Sequence, residues 1–292
     1  MKRLLILTSI ISCFSVMLLS CASIITHKDT SEQTSTQLLT TPSISSVVTT
    51  QTTTMPIWST QTGTPIVNSH SGYVMPNIYD RTLKDKNENT VVSVRILSPK
   101  VFFYDNESLQ ETVNANLLFV FNEIEATVNA ICNRYLLADT SSYLSPPSIF
   151  VDYTLEHFTK EAMSLKFKIS ENDENSNTYT SFVCYNLDLI TGAIINSSTV
   201  FEEGKLSAFS ELVSRKLTES GYTLYDNADT IINQYFQSRW YISFNKLNLC
   251  FNPGEIAAIS EGVIEISIEV QQISDLTSDY GSALFTVSYE NN

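Results

Sequence analysis

Apolar and polar residues alternate along several stretches of the chain, which is the pattern of β-strands with one buried face. The first stretch covers residues 91–104 and is rich in β-branched side chains. Three more stretches follow and are separated by short polar segments, so we predict an antiparallel meander. Their sequences are SIFVDYTLEHF, MSLKFKIS and YTSFVCYNLDLI.

A spacing of three to four residues predicts the longest helix, near 107–136. The acidic residues of its first turn and Arg134 near its end suit the helix dipole. Leu118 and Phe121 widen the apolar stripe, so we expect a sheet to cover this helix well. The residues at the helical spacing are Leu109, Val113, Leu117, Val120, Ile124, Val128, Ile131 and Tyr135.

Shorter helices are predicted near 205–238, one ending at Gly221 as its C′ residue and the next covering about 228–237. A hairpin follows, with its two-residue turn at Asn245-Lys246, and residues 263–270 alternate as a last strand. Strands and helices therefore occur in runs without a βαβ rhythm. This order indicates an α+β fold, in which antiparallel β-sheets are packed by the long helix and the shorter helices. In the first of the two shorter helices, the core-facing residues are Leu206, Phe209, Leu212, Val213 and Leu217.

The N-terminus has the layout of a secretory signal, with Lys2 and Arg3 before an apolar run and Ser20 before Cys21. A small residue followed by Cys resembles a bacterial lipobox, in which the Cys becomes the lipidated N-terminus after cleavage. We therefore expect residues 1–20 to be a signal peptide and Cys21 to carry acyl chains that enter the bilayer. The protein would then sit on the outer face of the bacterial cytoplasmic membrane. The alternative is an uncleaved anchor, although the run is shorter than the roughly 20 residues of a spanning helix.

Ser and Thr dominate residues 29–64, and such a segment cannot bury enough apolar surface to fold. We assign residues 21–72 to a disordered tether, with a glycosylated stalk as the alternative. The remaining chain can bury a real core, and we divide it into a first α/β half, 73–200, and a second α/β half, 201–292, packed as one unit.

The formal net charge of −14 argues against a nucleic-acid partner, because binding phosphate requires Lys and Arg. A basic protein or a cationic wall component is a better electrostatic match, although the acidity could serve solubility alone. Cys132, Cys184 and Cys250 have no metal-ligand spacing, so we expect no metal and no other cofactor. Buried free thiols are the expected state, and a Cys184–Cys250 disulfide is the alternative.

Three segments in this order resemble the extracytoplasmic domain shared by RsiV-type anti-sigma factors and the N-terminal regions of PdaC-type deacetylases. That domain of unknown function has a DUF4163-like first half and a DUF3298-like second half, and the resemblance covers residues 90–270. The segments are NLDLITGAI, VFEEGKLSAFSELVSRKL and WYISFNKLNLCFNPGEIAAISEGVIEISI. The end of the family's domain carries a motif close to Asn-Pro-Tyr-Glu-Ile-Ala-Pro-Tyr-Ala-x-Gly, which we call the tail motif. The residues that match it here are Asn252, Pro253, Glu255, Ile256, Ala257 and Gly262.

The chain departs from this tail motif where the family has aromatic residues. Gly254 stands in place of a Tyr, and Ala258-Ile259 stands in place of a Pro-Tyr pair. If those aromatics form a ligand surface in the family, this chain has lost it.

The connector between the last two predicted strands, residues 251–262, has two interpretations. As a buried corner, Pro253 would end one strand, Ile256 and Ile259 would pack on the core at a helical spacing, and Gly262 would take a positive φ. This interpretation predicts a short helical crossover. If the connector is instead a ligand-binding loop, its ligand-facing residues would be Asn252, Glu255, Ile259 and Glu261.

The resemblance implies a non-catalytic binding domain, and recognition of lysozyme, a cationic wall-cutting protein, is the best-understood role in the family. Only three residues precede the apolar run, so we expect no sigma-binding segment. Nucleophile, phosphate-loop and zinc-protease motifs are absent from the sequence, so we expect no enzymatic activity. One alternative is a module that binds peptidoglycan or another part of the cell envelope. The other is an uncharacterised hydrolase using a carboxylate pair such as Glu265 and Glu269.

Overall fold

Six strands form a mixed sheet whose spatial order follows the chain. The structure is a computed structural model that describes residues 66–68 by their backbone, and residues 72–138, 145–244 and 246–286. The six strands are β1 (Ile66–Asn68), β2 (Gly72–Lys84), β3 (Thr90–Phe103), β4 (Ser148–Phe158), β5 (Ala162–Asn172) and β6 (Thr178–Asp188).

The predicted antiparallel meander is confirmed as β4, β5 and β6. One pair in the sheet, β3 with β4, is parallel, and the sequence pattern did not predict it. The parallel pairing follows from the long helix between the two strands. The helix carries the chain back to the end of the sheet at which β3 began, so β4 runs in the same direction as β3.

That helix, α1 (Glu107–Leu137), confirms the prediction for 107–136. The side chain of Asn106 accepts a hydrogen bond from the Leu109 N–H and caps the first turn. The expectation for Leu118 was wrong, since its side chain is 56% exposed, whereas Phe121 packs on Tyr79 with ring centroids 4.4 Å apart. The buried face consists of Val113, Leu117, Val120, Ile124, Val128, Cys132 and Tyr135.

A second, three-stranded antiparallel sheet and four helices follow. The hairpin pairs Ser243 with Lys246, so its turn begins at Phe244, one residue earlier than predicted. The predicted helix end at Gly221 is confirmed, with φ 95° and a hydrogen bond from the Tyr222 N–H to the Leu217 carbonyl. The elements are α2 (Ser197–Val200), α3 (Leu206–Glu219), α4 (Ala228–Arg239), β7 (Trp240–Ser243), β8 (Lys246–Phe251), β9 (Ile264–Glu269) and α5 (Asp279–Thr286).

Two hydrophobic cores lie in one compact unit that contains all the described residues. The first lies between α1 and the large sheet, and the second lies among α3, α4 and the small sheet. Stacked and edge-on aromatic rings fill the second core, with Phe236 against both Phe209 and Trp240. This arrangement confirms the α+β fold class, while the division into halves at residue 200 stays a prediction.

The predicted signal peptide and Cys21 lie outside the described residues. So does most of the tether, although β1 and Gly72 fall within residues 21–72, so strand pairing begins before residue 73. Among the described helices, none has both the length and the apolar character that crossing a membrane requires.

Candidate functional site around the connector

The connector closes a long hairpin between β8 and β9. Phe251 pairs directly with Ile264, and the two strands are antiparallel neighbours. The predicted helical crossover is therefore wrong, because the connector returns the chain to the adjacent strand. Its helical content is a single 3-10 turn at Ile259–Glu261.

The connector begins with a β-turn at Asn252-Pro253-Gly254-Glu255. The Glu255 N–H donates to the Asn252 carbonyl at 3.1 Å, and Gly254 has φ 81°. Proline at the second position and a positive φ at the third define a type II turn, which favours glycine at that third position. The backbone therefore explains why glycine suits this place, where the tail motif has a tyrosine.

Asn252 ties the connector to the edge strand of the large sheet. Its side-chain oxygen accepts from the Phe182 N–H at 2.6 Å, and its amide nitrogen donates to the Phe182 carbonyl at 3.2 Å. The two bonds occupy the N–H and the carbonyl of Phe182 on the outer side of β6, as a neighbouring strand would. Asn252 thus holds the position of the connector and does not face solvent freely.

Glu255 also faces inward and pairs with Arg239 at the end of α4. The Arg239 Nε lies 2.9 Å from Oε2 and its Nη2 lies 2.5 Å from Oε1, with side chains 10% and 17% exposed respectively. Burial alone would lower the pKa of Arg239, but the hydrogen bonds and charge of Glu255 outweigh it and raise that pKa. Glu255 also accepts from the Asn252 N–H at 2.8 Å, so one carboxylate fixes both the turn and a buried cation.

The second half of the connector has one buried and one exposed part. Ile256 is fully buried as expected, whereas Ile259 is 74% exposed, so its predicted packing on the core was wrong. The reason is that Ala258 has an extended backbone, with ψ 145°, which breaks the helical spacing between the two isoleucines. Gly262 has φ 69°, as predicted, and Glu261 is exposed beside it.

The four candidate residues therefore fall into two pairs. Asn252 and Glu255 hold the connector in place, and Ile259 and Glu261 present their side chains to solvent.

A cluster around Lys166 links the two sheets next to the connector, and sequence reasoning did not find it. Lys166 on β5 lies 3.1 Å from Glu156 on β4 and 3.0 Å from Glu265 on β9. The hydroxyl of Tyr241 on β7 donates to Glu265 as well. Burial would lower the pKa of Lys166, but its two carboxylates outweigh burial and raise the pKa, so the side chain stays charged.

Cys184 and Cys250 lie in one small cluster with Tyr241, beside Lys166. Both thiols are free and buried, and so is Cys132, which confirms the expectation of free thiols. Burial raises the pKa of Cys250 to about 12 and also raises that of Cys184. Since the thiolate is the reactive form, these cysteines act as packing residues at neutral pH.

Each charged group of this region has a partner of opposite charge, with three carboxylates sharing two cations. Glu156 and Glu265 share one lysine, and Glu255 is bound by an arginine. Within the described part of the chain, no group of three or more His, Cys, Asp or Glu residues is placed to hold a metal ion. The arrangement can therefore position the connector firmly and present its outer end to a partner.

The family model DUF3298, described as a protein of unknown function, matches residues 198–271. These residues form a DUF3298-type domain. The domain contains α3, α4, the small sheet and the whole connector. No curated protein is similar to this chain in sequence.

Two solved structures of DUF3298 family proteins are similar to the chain. One, from Bacteroides fragilis, has a TM-score of 0.54 and 10% identity, covering 75% of this chain and 98% of the other. The second, from Pseudomonas aeruginosa, has a TM-score of 0.47 and 12% identity, covering 70% and 94% respectively. At these identities the likeness concerns the fold, and the Bacteroides protein extends it beyond the DUF3298-type domain itself.

Proposed function

We propose that this protein is a lipid-anchored, non-catalytic binding module on the outer face of the bacterial cytoplasmic membrane, and that it binds a cationic envelope-active protein. Lipid on Cys21 would hold the module near the bilayer. The residues of the DUF3298-type domain would supply the binding surface.

The observation that carries this proposal is the unbalanced acidity of the domain surface. Acidic residues outnumber basic ones between residues 198 and 271. Of the five basic residues in this range, Arg215, Arg239 and Lys246 are each paired with a glutamate of the same domain. Exposed carboxylates such as Glu261 are therefore left to attract an external cation, which would speed association with a basic protein.

Lysozyme is the partner we propose to test first, because it is cationic and because recognition of lysozyme is known in the family that the sequence resembles. The exposed end of the connector, Ile259 and Glu261, offers an apolar and an acidic contact on a firmly held loop. Preorganised loops lose less entropy on binding, which favours affinity.

Calorimetry with the full-length protein in detergent tests this proposal. We expect lysozyme to bind with a Kd below about 1 μM at low salt and more weakly at moderate salt. The double variant Ile259→Ala and Glu261→Gln should weaken binding. The charge-matched control, Glu203→Gln at another exposed position of the domain, should change it little.

Absence of heat with lysozyme would refute the proposed partner. Salt-insensitive binding to purified peptidoglycan would instead support a module for wall polymer, and turnover lost on a single Glu→Gln change would support a hydrolase. The lipid anchor has its own test, since Cys21→Ala should move the protein from the membrane fraction to the soluble fraction.

A further inference from the structure

The outer edge of β2 is open over most of its length. β1 pairs with β2 only at Gly72, Tyr73 and Val74, and no other described strand lies beside β2 on that side. The pairing of β2 with β3 on the other side is regular as far as Leu83, after which the register shifts. The stretch from Met75 to Leu83, which we call the β2 edge, is therefore a strand edge that is paired with no other described strand.

Every second residue of the β2 edge directs its backbone N–H and carbonyl away from the sheet. Pro76 lies directly opposite Pro99 of β3, and these two cannot form a hydrogen-bonded pair because proline has no N–H. Bonded and non-bonded pairs alternate along antiparallel strands, so the backbone groups of Ile78, Asp80 and Thr82 also point outward. The β2 edge can therefore form a ladder of hydrogen bonds with a further strand.

Apolar side chains are exposed along the same edge. α1 packs mainly on β3, so β2 projects beyond the helix as a ledge. On this ledge Met75 and Tyr79 are each 39% exposed, and Phe121 of α1 packs on the Tyr79 ring. Leu118 is 56% exposed and lies one turn before Phe121, hence on the same side of α1. A partner strand would thus bury apolar area as well as form backbone hydrogen bonds.

The charged residues of the β2 edge do little to keep a second strand away. Exposed edges are commonly protected by charged residues, prolines or bulges. Here Asp80 is paired with Arg95 and Arg81 is paired with Glu125, so each charge is compensated within the chain. Pro76 removes one outward donor near one end of the edge and leaves the rest available.

We propose that two copies of this protein associate through the β2 edge, in antiparallel pairing about a two-fold axis at Tyr79. The open stretch selects this register, because β1 bounds it before Met75, the register shift bounds it after Leu83, and Tyr79 is its midpoint. Met75 of each copy then lies opposite Leu83 of the other, on the same face as the two Tyr79 rings. The two large sheets become one continuous sheet. This association does not depend on the proposed ligand.

Charge favours the same register. With the axis at Tyr79, Asp80 lies opposite Ile78 of the other copy, and Arg81 lies opposite Asn77. An axis at Asp80 would place two aspartates directly opposite each other, and an axis at Arg81 would do the same with two arginines. Like charges in directly opposite positions destabilise an antiparallel pair.

Disulfide cross-linking of the full-length protein in detergent tests the register. Facing residues of a non-hydrogen-bonded antiparallel pair have Cα atoms about 4.5 Å apart, which a disulfide can bridge. The variant Tyr79→Cys should therefore form a covalent dimer on mild oxidation. In the control Asn77→Cys the two cysteines would lie four residues out of register, about 13 Å apart, and should not cross-link. The wild type, whose described cysteines are buried, is the second control.

The two cysteine variants share a detergent micelle equally, so a micelle effect cannot distinguish them. Cross-linking of both variants to the same extent would overturn the proposal. A Tyr79→Cys protein that stays monomeric after oxidation would overturn it as well.

Sedimentation velocity over a range of protein concentrations measures the association itself. We expect the wild type to dimerise as concentration rises, and a wild type that is monomeric throughout would contradict the proposal. Tyr79→Lys places two like charges opposite each other and should weaken dimerisation several-fold. Tyr225→Lys adds the same charge at an exposed tyrosine beside the second core and should leave dimerisation unchanged. Equal weakening by the two variants would overturn the proposed interface, and circular dichroism like that of the wild type establishes that each variant is folded.

Discussion

At the scale of single residues, the buried ion pair of Arg239 and Glu255 sets the stability of the connector. We expect Glu255→Ala to cost about 3 kcal/mol, because it leaves the Arg239 charge buried without a partner. Urea unfolding measures the change. Glu219→Ala, which removes the exposed partner of Arg215, is the control and should cost below about 0.5 kcal/mol. A similar small cost for both variants would show that Arg239 reaches water when Glu255 is absent.

His157 on β4 makes the stability of the fold depend on pH. Burial lowers its pKa from 6.5 to about 4, so the folded protein keeps it neutral while the unfolded chain takes up a proton. The free energy of unfolding should therefore fall as pH falls through this interval, by about 2 kcal/mol between pH 7 and pH 4.5 from this residue.

The variant His157→Gln isolates this contribution from that of the carboxylates. Urea titration at several pH values measures the free energy of unfolding of the wild type and the variant. Between pH 7 and pH 4.5 the wild type should lose about 2 kcal/mol relative to the variant. A constant difference across the interval would show that His157 titrates alike in both states.

At the scale of elements, the type II turn of the connector depends on the positive φ of Gly254. A Cβ at this position would meet only the Ile259 Cβ, at 3.8 Å, so space is not the constraint. We expect Gly254→Ala to destabilise the protein by about 1 kcal/mol through backbone strain alone, and Gly254→Asn to cost less, since Asn tolerates this region. Gly254→Tyr, the residue of the family motif, should behave like the alanine variant. Thermal unfolding compares the three, and equal costs for Ala and Asn would exclude backbone strain as the cause.

Elements with an uninterrupted local pattern could be predicted from the sequence, and long-range arrangements could not. The apolar spacing of α1 fixed its length closely, and the positive φ of Gly221 followed from its place after a helix. The parallel pairing of β3 with β4 depends on how a helix crosses the sheet, which leaves no mark in either strand.

The candidate site shows the same division. The tail motif located the connector. The roles of Asn252 and Glu255 depend on their partners, Phe182 at 70 residues along the chain and Arg239 at 16 residues. The alternation in Lys166-Phe167-Lys168 predicts that Lys166 lies on one face of a strand. Its partners Glu265 and Tyr241 lie on other strands, which the local pattern does not show. From the sequence alone, a polar residue on a strand face is expected to face solvent. Only the tertiary structure shows whether a second sheet covers that face.

At the scale of the whole molecule, Lys166 joins the two sheets and should make the two cores unfold together. Glu156 lies on the large sheet and Glu265 on the small one, so removing the lysine leaves two carboxylates facing each other without a cation. We expect wild-type unfolding curves from two probes to coincide, as for a single cooperative unit. One probe is the fluorescence of Trp240 in the second core, with Trp58 replaced by Phe. The other is helical circular dichroism, which also reports α1 beside the first core, the longest of the described helices.

The variant Lys166→Ala should lose about 3 kcal/mol and separate the two curves, because the remaining links between the sheets are neutral hydrogen bonds and the small apolar cluster of Cys184, Cys250 and Tyr241. These include the bond from the Ile242 N–H to Ser164 and the bond from Asn186 to the Trp240 carbonyl. The control Lys246→Ala removes an ion pair within the small sheet and should leave the curves coincident. If Lys166→Ala also leaves them coincident, the neutral bonds and the apolar cluster suffice to couple the cores. The Lys166 cluster would then contribute stability without transmitting it from one sheet to the other.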